Sequence, residues 1–142
     1  EDLDVDDARS ARIFALDWEA TRGALTLTGE YARASVDLPT SLAGSVFAET
    51  QDGIYGELSA RFGRGWLVHL PASVFEGVFR YDRVDFDTAL EGDHVTQWSF
   101  GVNFKPVSDA AFKLNYFRKW TYDRNNVQGI GAGVLFSLAT YF

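Results

Sequence analysis

The sequence has no cysteine, no methionine, two histidines and three prolines. Without cysteine there is no disulfide framework and no thiolate for metal or redox chemistry. His69 and His94 lie far apart and form no HExxH pair, so a multi-histidine metal centre is not expected. Basic residues are the minority charge: Lys+Arg total 13 against 20 Asp+Glu, a net charge of -7. A nucleic-acid binder normally presents a basic face, so no nucleic-acid partner is expected. Long apolar runs are missing too. The longest uncharged stretch, Asn125 to Phe142, holds Asn, Gln, Ser, Thr and the alternate glycines Gly129, Gly131 and Gly133. A membrane-spanning helix needs a near-continuous apolar run of about 20 residues. No secretory signal is visible, and the chain opens on Glu1, so a processed or truncated product is expected.

What is present is aromatic. Phe 12, Tyr 6 and Trp 4 make up 15% of the 142 residues, yet mean hydropathy is only -0.12. Strands with one wet and one greasy face would produce that combination, and the length suits one domain.

Period-two alternation runs through the chain. From Thr96 to Lys105, Trp98, Phe100, Val102 and Phe104 share one face. Gln97, Ser99, Gly101, Asn103 and Lys105 share the other. The last segment repeats this, with Ile130, Ala132, Val134, Phe136, Leu138 and Phe142 opposing Gly129, Gly131, Gly133, Ser137 and Ala139. Phe112, Leu114, Tyr116, Trp120 and Tyr122 oppose Lys113, Asn115, Lys119 and Thr121. Four earlier segments, around Leu16, Leu27, Leu58 and Phe79, follow the same rule less regularly. The sum is about seven strands of roughly 9–14 residues, longer than the usual strand of about 5–6 and suited to a tilted bilayer crossing of about 9–11.

The connections alternate. Thr21-Arg22-Gly23 and Pro106-Val107-Ser108-Asp109 are tight turns. Leu38 to Asp52 and Asp85 to Gln97 are long loops. Gly63 to Ala72 and Tyr122 to Gln128 are intermediate. Short turns on one side and longer loops on the other match an outer-membrane barrel. Centring the penultimate turn on Ser108 pairs Phe104 with Phe112, Phe100 with Tyr116 and Trp98 with Arg118. Centring the next on Asn125 pairs Tyr116 with Val134, Phe112 with Leu138, Trp120 with Ile130, and Phe117 with Gly133 on the opposite face. One register satisfies both faces. Arg118 interrupts the apolar row. The expectation is a guanidinium near the membrane interface stacked on Trp98, with a local bulge turning it inward as the alternative.

Trp18, Tyr31, Tyr81, Trp98 and Trp120 fall toward one set of strand ends, and Phe104, Phe112 and Phe142 toward the other, as two aromatic girdles would. The expected fold is therefore an all-β, antiparallel transmembrane β-barrel in one domain spanning residues 1–142. A soluble sandwich, which also alternates, is the other reading.

Gly129 to Phe142 resembles the C-terminal strand that outer-membrane proteins present to their assembly machinery, apart from Thr140, where a hydrophobic residue is commoner. Gly101-Val102-Asn103-Phe104-Lys105-Pro106 and Phe112-Lys113-Leu114-Asn115-Tyr116 resemble the last hairpin of porins. Gly29-Glu30-Tyr31, Gly53-Ile54-Tyr55-Gly56 and Phe79-Arg80-Tyr81-Asp82 are similar to porin segments as well. Together they resemble the C-terminal half of the phosphate-selective porin O/P family, over most of residues 11–142. The resemblance implies a barrel of about 16 strands, a possible homotrimer, the bacterial cell outer membrane and its lipid as surroundings, and anion-binding basic residues. The family's arginine-rich segments have no clear match here, so none is carried over. Seven strands break the even-number rule of single-chain bacterial barrels. The expected remedies are further strands before Glu1, a short eighth strand at Leu3 and Val5, or several chains sharing one barrel.

The lumen-facing charged candidates are Asp17, Glu19, Glu30, Glu57, Arg61, Glu76, Arg80, Asp82, Lys105, Lys113 and Lys119. They read as a pore wall that sets ion preference, or as salt bridges filling a narrow barrel. Acids dominate the earlier strands and lysines the last two. Glu57 and Glu76 are the carboxylate pair considered for hydrolysis, but no nucleophile–base pair accompanies them and no catalytic residue is assigned. No cofactor is expected. Asp2, Asp4 and Asp6 could gather calcium in a loose site, but the EF-hand pattern fails, because Asp7 stands where Gly is required and Ile13 at the twelfth position. His69, near Trp66, reads as a turn residue. Passive diffusion of small hydrophilic solutes is the first functional expectation. A non-conducting anchor or a sheath for a partner protein is the second, and a small barrel enzyme the third.

Overall fold

The computed structural model describes residues 10–38 and 47–140. They form seven strands: β1 Ala11–Arg22, β2 Leu25–Val36, β3 Thr50–Phe62, β4 Val74–Asp85, β5 His94–Val107, β6 Ala110–Tyr122 and β7 Gln128–Thr140. Each is 12 to 14 residues long, in the upper part of the expected range. All seven join one antiparallel sheet in chain order, β1-β2-β3-β4-β5-β6-β7. The sheet is open. β1 and β7 are its edges, so closure into a barrel is not part of the described architecture.

The anticipated registers hold. Phe104 pairs with Phe112, Phe100 with Tyr116 and Trp98 with Arg118. Tyr116 pairs with Val134, Trp120 with Ile130 and Phe117 with Gly133. Turn chemistry sets the details. The β1–β2 hairpin turns on Gly23 and Ala24 rather than Thr21-Arg22-Gly23, and Gly23 takes a φ of 63°. A glycine in the first central position of a two-residue turn twists the chain as the flanking strands require. The β5–β6 turn is Ser108-Asp109, shorter than expected. The register shifts between Phe104 and Val107, which places Pro106 at the irregularity. Proline has no N–H for a ladder, so a bulge is where it fits. Both long loops are shorter than expected, because β3 begins at Thr50 and β5 at His94.

The side-chain distribution is inverted relative to a water-soluble domain. Ala111, 7% exposed, is the one buried hydrophobic residue among those described. The large apolar side chains lie in the open: Phe100 is 54% exposed, Val134 66% and Phe136 68%. On β5 and β6 the exposed positions are mainly the apolar ones and the polar neighbours between them are half-buried. A two-layer sandwich buries its apolar face against a second sheet. No second layer exists among the described residues.

Candidate functional site

Pairing across the ladder sorts the side chains onto two faces without exception for the candidates. Asp17 faces Glu30, Glu30 faces Tyr55, Tyr55 faces Asp82, Asp82 faces Gln97, and Gln97 faces Lys119. The next row holds Glu19, Glu57 and Arg80. A further row holds Arg61, Glu76, Asn103 and Lys113, and Lys105 faces Val74 on the same side. All eleven charged candidates therefore share one face.

The centre of this wall is an ion-pair network. The Arg80 guanidinium donates from Nε to both Asp82 carboxylate oxygens, at 2.8 and 3.1 Å, and its Nη2 lies 2.7 Å from Asp82. Its Nη1 lies 3.6 Å from Glu57, and its plane sits 3.9 Å over the Tyr55 ring. One cation thus answers two carboxylates. Beside it, Glu76 accepts from Lys105 Nζ and from Asn103 Nδ2, each at 3.1 Å. Glu57 and Glu76 each face a cation rather than one another, which is not the arrangement of a carboxylate pair sharing a scissile bond. The margins are unbalanced. Asp17, Glu19 and Glu30 on β1 and β2 make no ion pair within the described residues, nor do Lys113 and Lys119 on β6. Charge of one sign lies at each side of a neutralised centre.

The opposite face carries most of the aromatic residues, Tyr55 and Phe117 being on the charged one. Trp18, Gly29, Gly56, Tyr81, Trp98 and Arg118 form one row, and Tyr31 and Trp120 stand in the next row outward. At the short-turn end Phe62, Phe75, Phe104 and Phe112 make a continuous line across four strands, with ring centroids 5.9, 4.8 and 6.2 Å apart. Trp66 closes on Phe62 and Phe75 at 5.9 and 6.2 Å. Sequence reasoning placed Phe104, Phe112 and Phe142 on this rim, of which Phe142 lies outside the described residues, and missed Phe62 and Phe75. Both were read on the apolar face, and their places at the facing ends of β3 and β4 are the signal that could have found them. From Thr96 to Phe104 the band measures about 27 Å along the strand at about 3.4 Å per residue. Tilting by about 40° reduces that to about 20 Å, close to the apolar height of about 25 Å that membrane barrels present. Phe142 and the acidic trio Asp2, Asp4 and Asp6, with Leu3 and Val5, lie outside the described residues.

Arg118 stays on the apolar face in unbroken register, which removes the bulge alternative. Its guanidinium lies 5.2 Å over Trp120 rather than Trp98. Trp120 stands one row nearer the long loops, so the side chain leans toward that end of the sheet.

The long loops are tied together. Arg124, between β6 and β7, donates to Asp87 at 2.9 Å and approaches Asp93 at 3.8 Å, both between β4 and β5. The Asp93 amide donates to the Asp123 carbonyl at 2.9 Å, and the Thr88 amide to the Thr50 carbonyl at 3.1 Å. This clasp was not anticipated, since partners 37 residues apart leave no local pattern. His69 lies in the β3–β4 loop as expected. Among the described residues no group of three or more His, Asp or Glu is placed to hold a metal ion.

Comparison with protein-family models, with curated proteins and with solved structures finds no match for the chain.

Proposed function

We propose that this sheet is part of a porin-like β-barrel of the bacterial outer membrane, through which small hydrophilic solutes or ions diffuse passively. The observation that carries the reading is the inverted distribution of side chains: large apolar groups exposed on one face, charged groups half-sheltered on the other, and Ala111 alone as buried hydrophobic residue among those described. In water such a face would be a large adhesive surface. Against acyl chains it is the favoured one, and the polar face then lines an aqueous lumen.

An open edge cannot face hydrocarbon, because its unpaired N–H and C=O groups would lose water without replacement. The functional form therefore carries further strands on both edges, in keeping with a barrel of about 16 strands and with a homotrimer. Delivery by the assembly machinery through β7 belongs to the same proposal. The wall groups exchange for hydration and bias charge, with no covalent step. The wall's positive charge gives no continuous cationic track, so phosphate selectivity is not part of the proposal.

Planar-bilayer recording tests it. Stepwise conductance with a measurable reversal potential supports diffusion through the barrel. Silence from a folded, heat-modifiable sample would favour the anchor or sheath, a reading to which the paired charges at Arg80 and Glu76 lend weight.

A further inference from the structure

Two arginines of the apolar face stand on either side of β5. Arg83 on β4 faces Thr96, which in turn faces Trp120. Arg118 on β6 lies one row toward the short-turn end, opposite Trp98. Their Cα atoms are about 10 Å apart across two strand spacings and about 7 Å apart along the strands, within reach of two long side chains. Neither guanidinium is well answered. Arg118 makes no ion pair among the described residues, and Arg83 only approaches Asp85, at 3.8 Å, with its side chain 49% exposed. Both lean toward the long loops, Arg118 over the Trp120 ring and Arg83 toward Asp85. Their own two rows hold no carboxylate; Asp52 and Asp85 stand one row further out. A shallow apolar hollow opens on the other side of Arg118. Gly77 and Ala60 face each other there, and a Cβ on Gly77 would meet only a Phe62 carbon, at 3.6 Å. Phe79, Phe100 and Leu114 border it. It begins one row, about 7 Å, from Arg118 and extends through the next.

We propose that Arg83, Thr96 and Arg118 bind the phosphate of an anionic membrane lipid, whose acyl chain lies in the hollow over Gly77. The inference rests on the barrel reading above, in which this face meets lipid. Charge complementarity names the occupant. Two under-neutralised cations on an otherwise apolar surface call for an anion, and arginine holds phosphate through paired N–H donors. Trp98 and Trp120 beside them set the level at which headgroups meet chains. The hollow decides for a lipid over a free ion. It leads away from Arg118 toward the apolar middle of the face, the direction a chain takes from its phosphate, and a free ion would leave it without a role.

The test uses the full chain in phosphatidylcholine vesicles, with Trp18→Phe, Trp66→Phe and Trp98→Phe leaving Trp120 as the remaining indole. Its fluorescence is quenched by brominated-chain phosphatidic acid or by brominated-chain phosphatidylcholine, each added to the unbrominated lipid at rising mole fraction. We expect phosphatidic acid to be favoured about threefold or more. Arg83→Gln combined with Arg118→Gln should bring the ratio to one. Gly77→Leu, which fills the hollow, should narrow it, and millimolar inorganic phosphate should leave it unchanged. Equal quenching by the two lipids overturns the site. A preference that survives the double glutamine variant overturns its assignment to these arginines. Loss of the preference to inorganic phosphate, but not to chloride at the same ionic strength, overturns the lipid in favour of a free ion. An unchanged ratio in Gly77→Leu overturns the seat for the chain. If the chain with Trp120 alone does not fold, the difference in quenching between the natural sequence and Trp120→Phe gives the same ratio. Quenching by brominated phosphatidylcholine reports contact with acyl chains whatever the headgroup, so the lipid-facing reading is judged separately from the phosphate site.

Discussion

The Phe117 ring occupies the space above Gly133. Two of its carbons lie 2.7 and 2.8 Å from where a Cβ on Gly133 would stand, closer than real side-chain contacts allow. The two residues face each other across the β6–β7 ladder, so the large one is accommodated because the small one has no side chain. Gly133→Val should therefore destabilise the folded protein by about 1–3 kcal/mol through overpacking. Phe117→Ala in the same chain should recover much of the loss. Thermal or urea unfolding of the two single variants and the double variant measures the coupling.

The exposed apolar face gives a prediction whose size depends on the surrounding medium. Leu114 is 54% exposed on β6, in register with Val102 and Phe136. On a surface in water, Leu114→Arg would change stability by no more than about 0.5 kcal/mol. Near the middle of a bilayer it should cost about 2–4 kcal/mol. Reversible unfolding from lipid vesicles decides between these values.

Arg80 balances Glu57 and Asp82 together. Arg80→Ala leaves both carboxylates uncompensated on the polar face. Reversal potentials in a salt gradient should then shift toward cation preference, and Arg80→Lys should shift less. An unchanged potential would place these groups away from the conducting path.

The loop clasp predicts a local effect. Asp87 is 6% exposed and depends on Arg124. Arg124→Ala should cost about 1–3 kcal/mol, because the buried Asp87 carboxylate loses its cation and keeps the Ala89 amide as donor. Amide exchange should accelerate at residues 86–93 and 123–127 and stay unchanged in β2.

At the start of the β2–β3 loop, the Ser10 hydroxyl donates to Asp37, and with the Ser10 amide contact and nearby Arg12 it holds the Asp37 carboxyl below its ordinary range, against a smaller opposing effect of burial. Because the folded value is depressed, this contribution is present above the unfolded pKa and is lost as pH falls through the folded one. Ser10→Ala should raise the Asp37 midpoint, read by carboxyl-carbon NMR titration.

The faces were legible because strand side chains alternate with a period of two: once Trp98 and Phe100 are assigned to one side, Gln97 and Ser99 have no choice. The register was legible where turn and pattern agreed, as at Phe104 with Phe112 and Phe117 with Gly133. The Arg124–Asp87 contact was not, since loop-to-loop ion pairs carry no periodicity. The indole beneath Arg118 was misassigned for a related reason. Register fixes the Cα neighbour, Trp98, but the side-chain rotamer chose Trp120. Sheet closure was also beyond the pattern, because alternation describes each strand's two faces and says nothing of what meets the edges.

The most direct test is an accessibility scan along β6. The chain contains no cysteine, so single cysteines at positions 112 to 117 can each carry a nitroxide label in protein reconstituted into vesicles. Collisions with oxygen, which concentrates in acyl chains, should be high at 112, 114 and 116. Collisions with a water-soluble nickel reagent should be high at 113, 115 and 117. Water accessibility at all six positions, or an apolar set shielded from both reagents, would contradict a face that meets lipid.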